Sequence, residues 1–232
     1  MNKPHVLFLP GMLCDQRVWQ YQIDHLKAVC QPDFLDLRNY GRLEQMLSAI
    51  AKASTFESII IGFSMGGYLA LEYALQGEVL FKKLAIIGTT AKGYPESEKS
   101  MRRQLLTQIQ QGQYTGMSLE RLRLMVHPDH HQNNELLDLI KQMEQDAGEQ
   151  VFINQLTATL NRENREPLLS NIQQPTLLVA GKQDQIAPYK AVSTMASLVP
   201  DSELHILENC GHMIPLEQPQ PLTDILKEWI TK

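Results

Sequence analysis

Residues 58–67 of this 232-residue chain read SIIIGFSMGG, and this stretch is the strongest indication of the fold. Its first six residues form a nearly uninterrupted apolar run, which is typical of a strand buried on both faces of a parallel sheet. Serine, methionine and two glycines end the stretch, and residues 68–75 then have the pattern of a buried helix. The stretch therefore predicts a buried strand that turns sharply into a helix.

The rest of the chain repeats this alternation of strand and helix. Short apolar runs predict strands at residues 6–9, 33–37, 58–63, 84–88, 176–180 and 203–207. Helical periodicity appears at 43–53 and, near the C-terminus, at 222–230. Strands that alternate with helices along a chain form parallel sheets with crossover helices. The predicted fold class is therefore α/β, with a mostly parallel sheet flanked by helices.

The alternation stops between residues 91 and 165. This segment is polar, with helical patterns near 98–110, 119–126, 134–143 and 150–161. A helical block inside a series of strands predicts an insertion over one end of the sheet. We expect a core domain of residues 1–90 and 166–232, with the insertion at 91–165. Nine Lys and Arg residues nearly balance ten Asp and Glu residues in the insertion, which gives no sign of an anion-binding site.

Ser64 is the candidate nucleophile, because it is the central residue of Gly62-Phe63-Ser64-Met65-Gly66. The two glycines permit a tight turn, where larger side chains would collide with the neighbouring strand and helix. The turn exposes the serine at the carboxyl edge of the sheet. A dinucleotide-binding loop has the same order of strand, glycines and helix. That alternative fails because Ser64 occupies the place of the second glycine and the next strand carries no acidic residue.

A serine hydroxyl is a weak nucleophile unless a base removes its proton. His212 is the best candidate among seven histidines, because it follows a predicted strand in a glycine-containing loop. The histidines of the insertion, His127, His130 and His131, indicate a solvated turn instead.

Asp184 is the candidate carboxylate that orients this base. It directly follows the predicted strand at 176–180, whereas Asp201 precedes a strand and belongs at the opposite edge of the sheet. Taken alone, Asp184 is an ordinary turn residue. The chain order Ser64, Asp184, His212, with each residue after a strand, predicts a Ser-His-Asp catalytic triad.

Two backbone N–H groups are candidates for an oxyanion hole. Met65 lies at the start of the helix that follows Ser64, where the helix dipole favours negative charge. Met12 lies in the loop after the first strand, where Gly11 allows the backbone to approach the nucleophile. The alternative for this loop is a plain Pro-Gly turn that ends a strand.

Four segments, in this order, resemble the α/β-hydrolase superfamily and especially its small capped esterases and C–C-bond hydrolases: LPGM at 9–12, GFSMGG at 62–67, GKQD at 181–184 and GHMIPLEQP at 211–219. The resemblance covers nearly the whole chain. It implies the α/β-hydrolase fold, a triad of Ser64, Asp184 and His212, an oxyanion hole from Met12 and Met65, and a helical cap at 91–165. The chain departs from the family at Pro10, where histidine is common. We also expect the family's usual N-terminal antiparallel strands to be missing, because the first predicted strand begins by His5.

The composition excludes several classes of function. A net charge of −5 and a pI near 5.8 argue against a nucleic-acid-binding protein. Three cysteines without a CxxC pair argue against a disulfide framework or a zinc site. No signal peptide and no apolar run of membrane-spanning length are visible, so we expect a cytoplasmic protein with no membrane partner. The sequence also lacks a phosphate loop, and no metal or organic cofactor is expected.

These observations predict a hydrolase with a small-molecule acyl substrate. Ser64 would take the acyl group of a small or medium carboxylic ester and pass it to water. One alternative is a C–C-bond hydrolase or a lyase-type reaction that uses the same triad, since one fold hosts many reactions. Another is a non-catalytic ligand-binding protein with this fold, against which the intact triad argues.

Overall fold

The computed structural model describes residues 3–77 and 81–232. Within these residues six strands form one sheet in the order β2-β1-β3-β4-β5-β6, and every pairing is parallel. The strands are β1 (His5–Leu9), β2 (Gln31–Phe34), β3 (Ile59–Phe63), β4 (Lys83–Ile87), β5 (Thr176–Gly181) and β6 (Ser202–Leu207). The predicted α/β fold class with a mostly parallel sheet is confirmed.

The α-helices of the described residues alternate with these strands except in one long interval. They are α1 (Gln20–Leu26), α2 (Leu43–Ala53), α3 (Met65–Ala74), α4 (Glu96–Gln110), α5 (Leu119–Met125), α6 (Asn134–Thr159), α7 (Tyr189–Leu198), α8 (Ile214–Glu217) and α9 (Pro219–Thr231). Helices α4, α5 and α6 all lie between β4 and β5 in the chain, within the range predicted for the insertion.

Side chains of the central strands point alternately to two apolar layers, one on each face of the sheet. In β1, Phe8 packs in the layer that contains residues of α1 and α9. Its neighbour Leu7 packs in the other layer, with residues of α2, α3 and α7. Both faces are therefore covered, which explains why β3 and β5 are uninterrupted apolar runs. All ten residues of α3 are buried between the sheet and its neighbours.

Strand β2 begins and ends earlier than the predicted range of 33–37. This strand lies at the edge of the sheet and pairs only with β1. Pro32 has no N–H group to donate, and at an edge this loses no hydrogen bond between strands. After Phe34 the chain leaves the strand direction. The Asp36 carboxylate accepts the Arg38 N–H at 3.0 Å and starts a short 3-10 turn there. This local side-chain hydrogen bond competes with the ladder, which an apolar pattern does not reveal.

The two helices predicted at 134–143 and 150–161 are joined in α6. The helix is kinked at Gly148, whose φ is 77° and whose ψ is 171°. Glycine adopts this positive φ without the steric cost of a Cβ atom. The separation of the two patterns thus marked a kink and not a loop.

Two further findings concern the whole of the described chain. Among its helices, none combines the length and the apolar character needed to cross a bilayer.

Cys14, Cys30 and Cys210 are free thiols, and all three are buried. Buried thiols pack as small apolar side chains.

Candidate active site

Ser64 lies between β3 and α3 in a backbone conformation that side chains rarely adopt. Its φ is 50° and its ψ is −112°, which is a strained combination for a residue with a Cβ atom. The Ser64 N–H donates to the Ile87 carbonyl at 2.9 Å. The Thr89 hydroxyl and the Tyr68 N–H donate to the Ser64 carbonyl at 2.6 and 3.0 Å. The strained turn is therefore supported by β4 and the loop after it as well as by α3.

The two outer glycines of the motif are required by close backbone packing. A Cβ atom at Gly62 would lie 2.4 Å from the Gly66 carbonyl oxygen, and one at Gly66 would lie 2.5 Å from the Leu9 carbonyl oxygen. Neither neighbour is a flexible side chain that could move aside. Glycine at these positions therefore lets α3 begin directly against the end of β1, which brings the loop after β1 close to Ser64.

Two consecutive hydrogen-bonding contacts connect Ser64 to His212 and His212 to Asp184. His212 Nε2 lies 2.9 Å from Ser64 Oγ, and His212 Nδ1 lies 2.8 Å from Asp184 Oδ2. With Asp184 ionised, Nδ1 donates to the carboxylate, which leaves Nε2 to accept the Ser64 hydroxyl proton. His212 and Asp184 are only 3% and 5% exposed. The structure thus brings together the three residues that the sequence placed after β3, β5 and β6.

The Asp184 carboxylate is held by its own turn. Its Oδ1 accepts the N–H groups of Ile186 and Ala187 at 2.7 and 2.8 Å. Burial alone would raise the pKa of Asp184. The charge of His212, the hydrogen bond to it and the two backbone N–H groups together bring that pKa below its ordinary value of 3.8. Asp184 is therefore ionised at neutral pH, with one oxygen left for His212.

Both residues predicted for the oxyanion hole line the same cavity as Ser64. Met65 is the first residue of α3, so its N–H has no partner in the helical ladder. Next to Met12, Leu13 has a φ of 60° and donates its N–H to Gln155 Oε1 of α6 at 2.8 Å. Gln155 therefore holds the loop after β1 in place, a contact that the sequence analysis did not predict.

Glu217 is a second residue that the sequence analysis did not single out. This buried carboxylate accepts the N–H groups of His127 at 2.6 Å and of Gly211 at 3.1 Å. Burial raises the pKa of Glu217, against the opposing effect of these hydrogen bonds. His127 is 9% exposed, so the predicted solvated turn is wrong for this residue. Its backbone is needed to satisfy Glu217.

Weak sequence signals existed for two of these contacts. Glu217 is a single charged residue directly after the apolar run MIPL, at 213–216. Thr89 follows the strand next to β3, where polar residues collect at the carboxyl edge of the sheet. Gln155 carried no signal, since it is one of several glutamines on a polar helix and lies 142 positions from its partner Leu13.

A cavity of about 1020 Å³ opens beside Ser64 and His212. Residues from the loops after the strands form one part of its wall, and residues of α4, α5 and α6 form another. Its apolar lining includes Leu105, Met125, Phe152 and Leu156. A cavity of this size and character accommodates a small or medium organic molecule.

Comparison with known proteins adds to this geometry. Residues 4–219 match the family model described as alpha/beta hydrolase fold. The chain belongs to the α/β-hydrolase family. A solved structure of a thermophilic esterase from Thermogutta terrifontis has the same fold as this α/β-hydrolase. The TM-score is 0.88 at 21% identity, over 99% of this chain and 90% of that chain.

The similar proteins include hydrolases of different kinds. The pimeloyl-[acyl-carrier protein] methyl ester esterase of Nitrosospira multiformis is 28% identical over 77% of this chain and 70% of its own. The 2-hydroxymuconate semialdehyde hydrolase of Pseudomonas putida is 25% identical over 75% of this chain and 62% of its own. The biotin biosynthesis bifunctional protein BioHC of Cellvibrio japonicus is 22% identical over 99% of this chain, which spans 48% of that protein. The family match and these similar proteins show that the chain is a hydrolase.

Proposed function

We propose that this α/β-hydrolase cleaves small or medium carboxylic esters through an acyl-enzyme on Ser64. The observation that supports this most is the series Asp184–His212–Ser64, with distances of 2.8 and 2.9 Å, at the wall of a cavity of about 1020 Å³. A buried base on a serine held at the start of a helix is the arrangement that acyl transfer needs. Similarity to a methyl ester esterase supports the choice of a carboxylic ester.

In the proposed mechanism, Ser64 Oγ attacks the ester carbonyl carbon while His212 Nε2 takes its proton. The carbonyl oxygen becomes an oxyanion, to which the N–H groups of Met12 and Met65 donate. His212 then gives the proton to the leaving alcohol, and the acyl group stays on Ser64. Water, deprotonated by the same nitrogen, releases the acid. Asp184 keeps the proton on Nδ1 and stabilises the imidazolium.

We also propose that residues 91–165 act as a cap over the cavity, with 1–90 and 166–232 as the core domain. Two contacts join this segment to the loops of the site. Gln155 of α6 accepts the Leu13 N–H, and the Met125 carbonyl at the end of α5 accepts the His212 N–H at 2.9 Å. A cap bonded in this way places its side chains at the end of the substrate that does not react.

The second candidate function is cleavage of a C–C bond, or a lyase-type reaction, with the same Ser64 and His212. The similarity to a 2-hydroxymuconate semialdehyde hydrolase favours it. Both candidates use an activated serine, and they differ only in the substrate that the cavity accepts. A ligand-binding protein without catalysis is the third candidate, and it requires no hydrogen bond between His212 and Ser64.

Labelling with a fluorophosphonate tests the nucleophile, because such probes react with activated serines. Wild-type protein is expected to carry the label on Ser64, and Ser64→Ala is expected to carry none. Ser100→Ala is the matched control, since Ser100 is exposed on α4 and does not line the cavity. Equal labelling of Ser64→Ala and wild type would refute the assignment.

Turnover of 4-nitrophenyl esters of increasing acyl length tests the substrate class. We expect hydrolysis of the short and medium esters, reduced in Ser64→Ala by about 10⁴-fold or more. Ser100→Ala is expected to match wild type. Labelling of Ser64 without hydrolysis of any ester would favour the C–C-bond candidate. Absence of both would favour the ligand-binding protein.

A further inference from the structure

The cavity beside Ser64 is lined by more positive than negative charge, although the whole chain has a net charge of −5. Among the described residues, its basic lining residues are Lys92, Arg102, Arg121, Arg162 and Lys190, and Glu98 is the single acidic one. The nearly equal numbers of acidic and basic residues in 91–165 gave no sign of this excess of positive charge, because most acidic side chains of that segment do not line the cavity. Glu96 and Glu163, for example, are 76% and 70% exposed.

Two of the three arginines already have partners in the protein. Arg102 pairs with Glu98 at 3.0 Å, and its guanidinium lies 4.0 Å from the centre of the Tyr94 ring. Arg162 donates a hydrogen bond to the Thr90 carbonyl. These contacts hold both side chains in place, so they shape the cavity before any ligand enters.

Arg121, on α5, is different. Within the described part of the chain its guanidinium makes no ion pair and no hydrogen bond. Arg121 is an exposed residue, and it lines the cavity. Desolvation by neighbouring protein groups lowers the pKa of Arg121, and the positive charge of Arg102 lowers it further. Arg102, Arg121 and Glu98 together carry one positive charge without a counter-charge. A single bound anion would bring the net charge of this group to zero and offset the repulsion between its two arginines.

The shape of the guanidinium and the lining of the cavity indicate which anion fits. A planar guanidinium donates two parallel hydrogen bonds to a carboxylate. The wall of the same cavity contains Leu105, Phe152 and Leu156, which suit a methylene chain. A molecule with a charged end, an apolar middle and a reacting ester at its other end matches this arrangement.

We propose that Arg121, with Arg102 beside it, binds a carboxylate at the non-reacting end of the substrate, so that the protein prefers esters of this type over neutral esters of equal length. The inference rests on the proposed function, because Ser64 supplies the reacting end. Arg121 is then the residue that determines specificity, and the ester and carboxylate groups lie at two separate parts of one cavity.

Binding to a variant that cannot turn over tests the proposal. Monomethyl adipate and methyl hexanoate differ only by a carboxylate in place of a terminal methyl group. Isothermal titration calorimetry with Ser64→Ala is expected to show at least tenfold tighter binding of monomethyl adipate, since a charge-assisted hydrogen bond contributes about tenfold to a hundredfold in affinity. In Ser64→Ala/Arg121→Gln the two ligands are expected to bind within about threefold of each other.

Matched variants separate the effect of position from that of charge. Ser64→Ala/Arg121→Lys keeps the charge but loses the planar fork, so it is expected to retain part of the preference. Ser64→Ala/Arg103→Gln removes a charge from the exposed side of α4, where Arg103 faces Glu96 at 3.7 Å outside the cavity. This control is expected to retain the full preference.

The outcomes are distinct from those for ester hydrolysis. Equal binding of the two ligands by Ser64→Ala, or an unchanged preference in the Arg121→Gln double variant, would overturn the carboxylate site. Wild-type protein that hydrolyses neither ester, while Ser64→Ala still prefers monomethyl adipate, would reject ester hydrolysis and support the carboxylate site.

Discussion

At the scale of single residues, Gly66 shows how one missing side chain allows the site to form. A Cβ atom there would meet the Leu9 carbonyl oxygen at 2.5 Å and the Pro10 carbonyl oxygen at 2.7 Å. Backbone atoms of a buried strand cannot move aside as the end of a flexible side chain can. The close approach of α3 to β1 therefore depends on glycine.

Gly66→Ala is expected to lower the free energy of unfolding by at least about 2 kcal/mol, because overpacking forces backbone shifts. Urea denaturation at neutral pH measures it. Gly41→Ala is the control, since a Cβ atom there would lie 3.5 Å from its nearest neighbour, in ordinary contact. We expect the control to stay within about 0.5 kcal/mol of wild type. Equal stability of the two variants would show that the backbone around Gly66 can yield.

Asp184 gives a second prediction at this scale. Asp184→Asn keeps the shape of the side chain, but its amide favours the wrong tautomer of His212. We therefore expect kcat for ester hydrolysis to fall by about 10⁴-fold, with a smaller change in KM. Steady-state kinetics at pH 7 measures both constants. A loss of less than tenfold would mean that His212 does not depend on this carboxylate.

The lowered pKa of Asp184 also predicts how stability depends on pH. Because the pKa in the folded state is below the ordinary value of 3.8, the carboxylate stabilises the fold above that value. This contribution is lost as the pH falls through the lowered pKa. The difference in stability between wild type and Asp184→Asn is therefore expected to be constant near pH 7 and to shrink below about pH 4. Urea midpoints measured over this range test it, and a difference that grows on acidification would contradict it.

At the scale of secondary-structure elements, the segment that contains α4, α5 and α6 is bonded to the core at several points. The Met125 carbonyl accepts N–H groups from both His212 and Met213, at 2.9 and 3.0 Å. Arg165, after α6, pairs with the buried Glu72 of α3 at 2.7 Å. The loop that carries His212 is consequently part of the contact between this segment and the core.

Glu217 is the positioning residue in this contact, and its replacement tests the link. Glu217→Leu leaves the buried N–H groups of His127 and Gly211 without an acceptor, at a cost of about 2–5 kcal/mol in the free energy of unfolding. We expect kcat to fall more than KM changes, because His212 loses its support. Glu217→Gln keeps one acceptor oxygen and should recover part of both losses.

The control for Glu217 lies in the same loop region. Glu208 is 66% exposed and pairs with Lys182 at 3.3 Å, so Glu208→Gln is expected to change stability by less than about 0.5 kcal/mol. Its kcat should equal that of wild type. Wild-type kcat in Glu217→Leu would show that the loop of His212 needs no bond to the residues after α5.

At the scale of the whole molecule, burial predicts which parts open most easily. Strands β3 and β5 are buried along their whole length. By contrast, α4 buries only Ile109 among its fifteen residues. Hydrogen exchange is expected to be slowest in the central strands and fastest, among the longer helices, in α4. Protection of α4 equal to that of β3 would show that another surface covers this helix in solution.

The amino-acid sequence was enough to predict the strands of a parallel sheet, apart from the bounds of β2, and to place the three site residues at one edge of it. The apolar run at 58–63 predicted a buried strand, and Ser64, Asp184 and His212 each follow a strand. Parallel strands place their carboxyl ends at one edge of a sheet, so residues far apart in the chain become neighbours once the strands are identified. Apolar periodicity and the succession of strands along the chain are properties of local sequence, which is why they could be recognised.

The surroundings of the nucleophile depend on tertiary packing, which the sequence analysis could not predict. Positive and negative residues are nearly equal in number within 91–165. The orientation of the helices, however, places Arg121 at the cavity and Glu96 in solvent. His127 lies 90 positions from Glu217, and Gln155 lies 142 positions from Leu13, so no local pattern specifies either contact. Side-chain direction and long-range backbone contacts arise from the packing of the helical segment on the core. The nucleophile could therefore be predicted from its own stretch of sequence, while the cavity that selects its substrate could not.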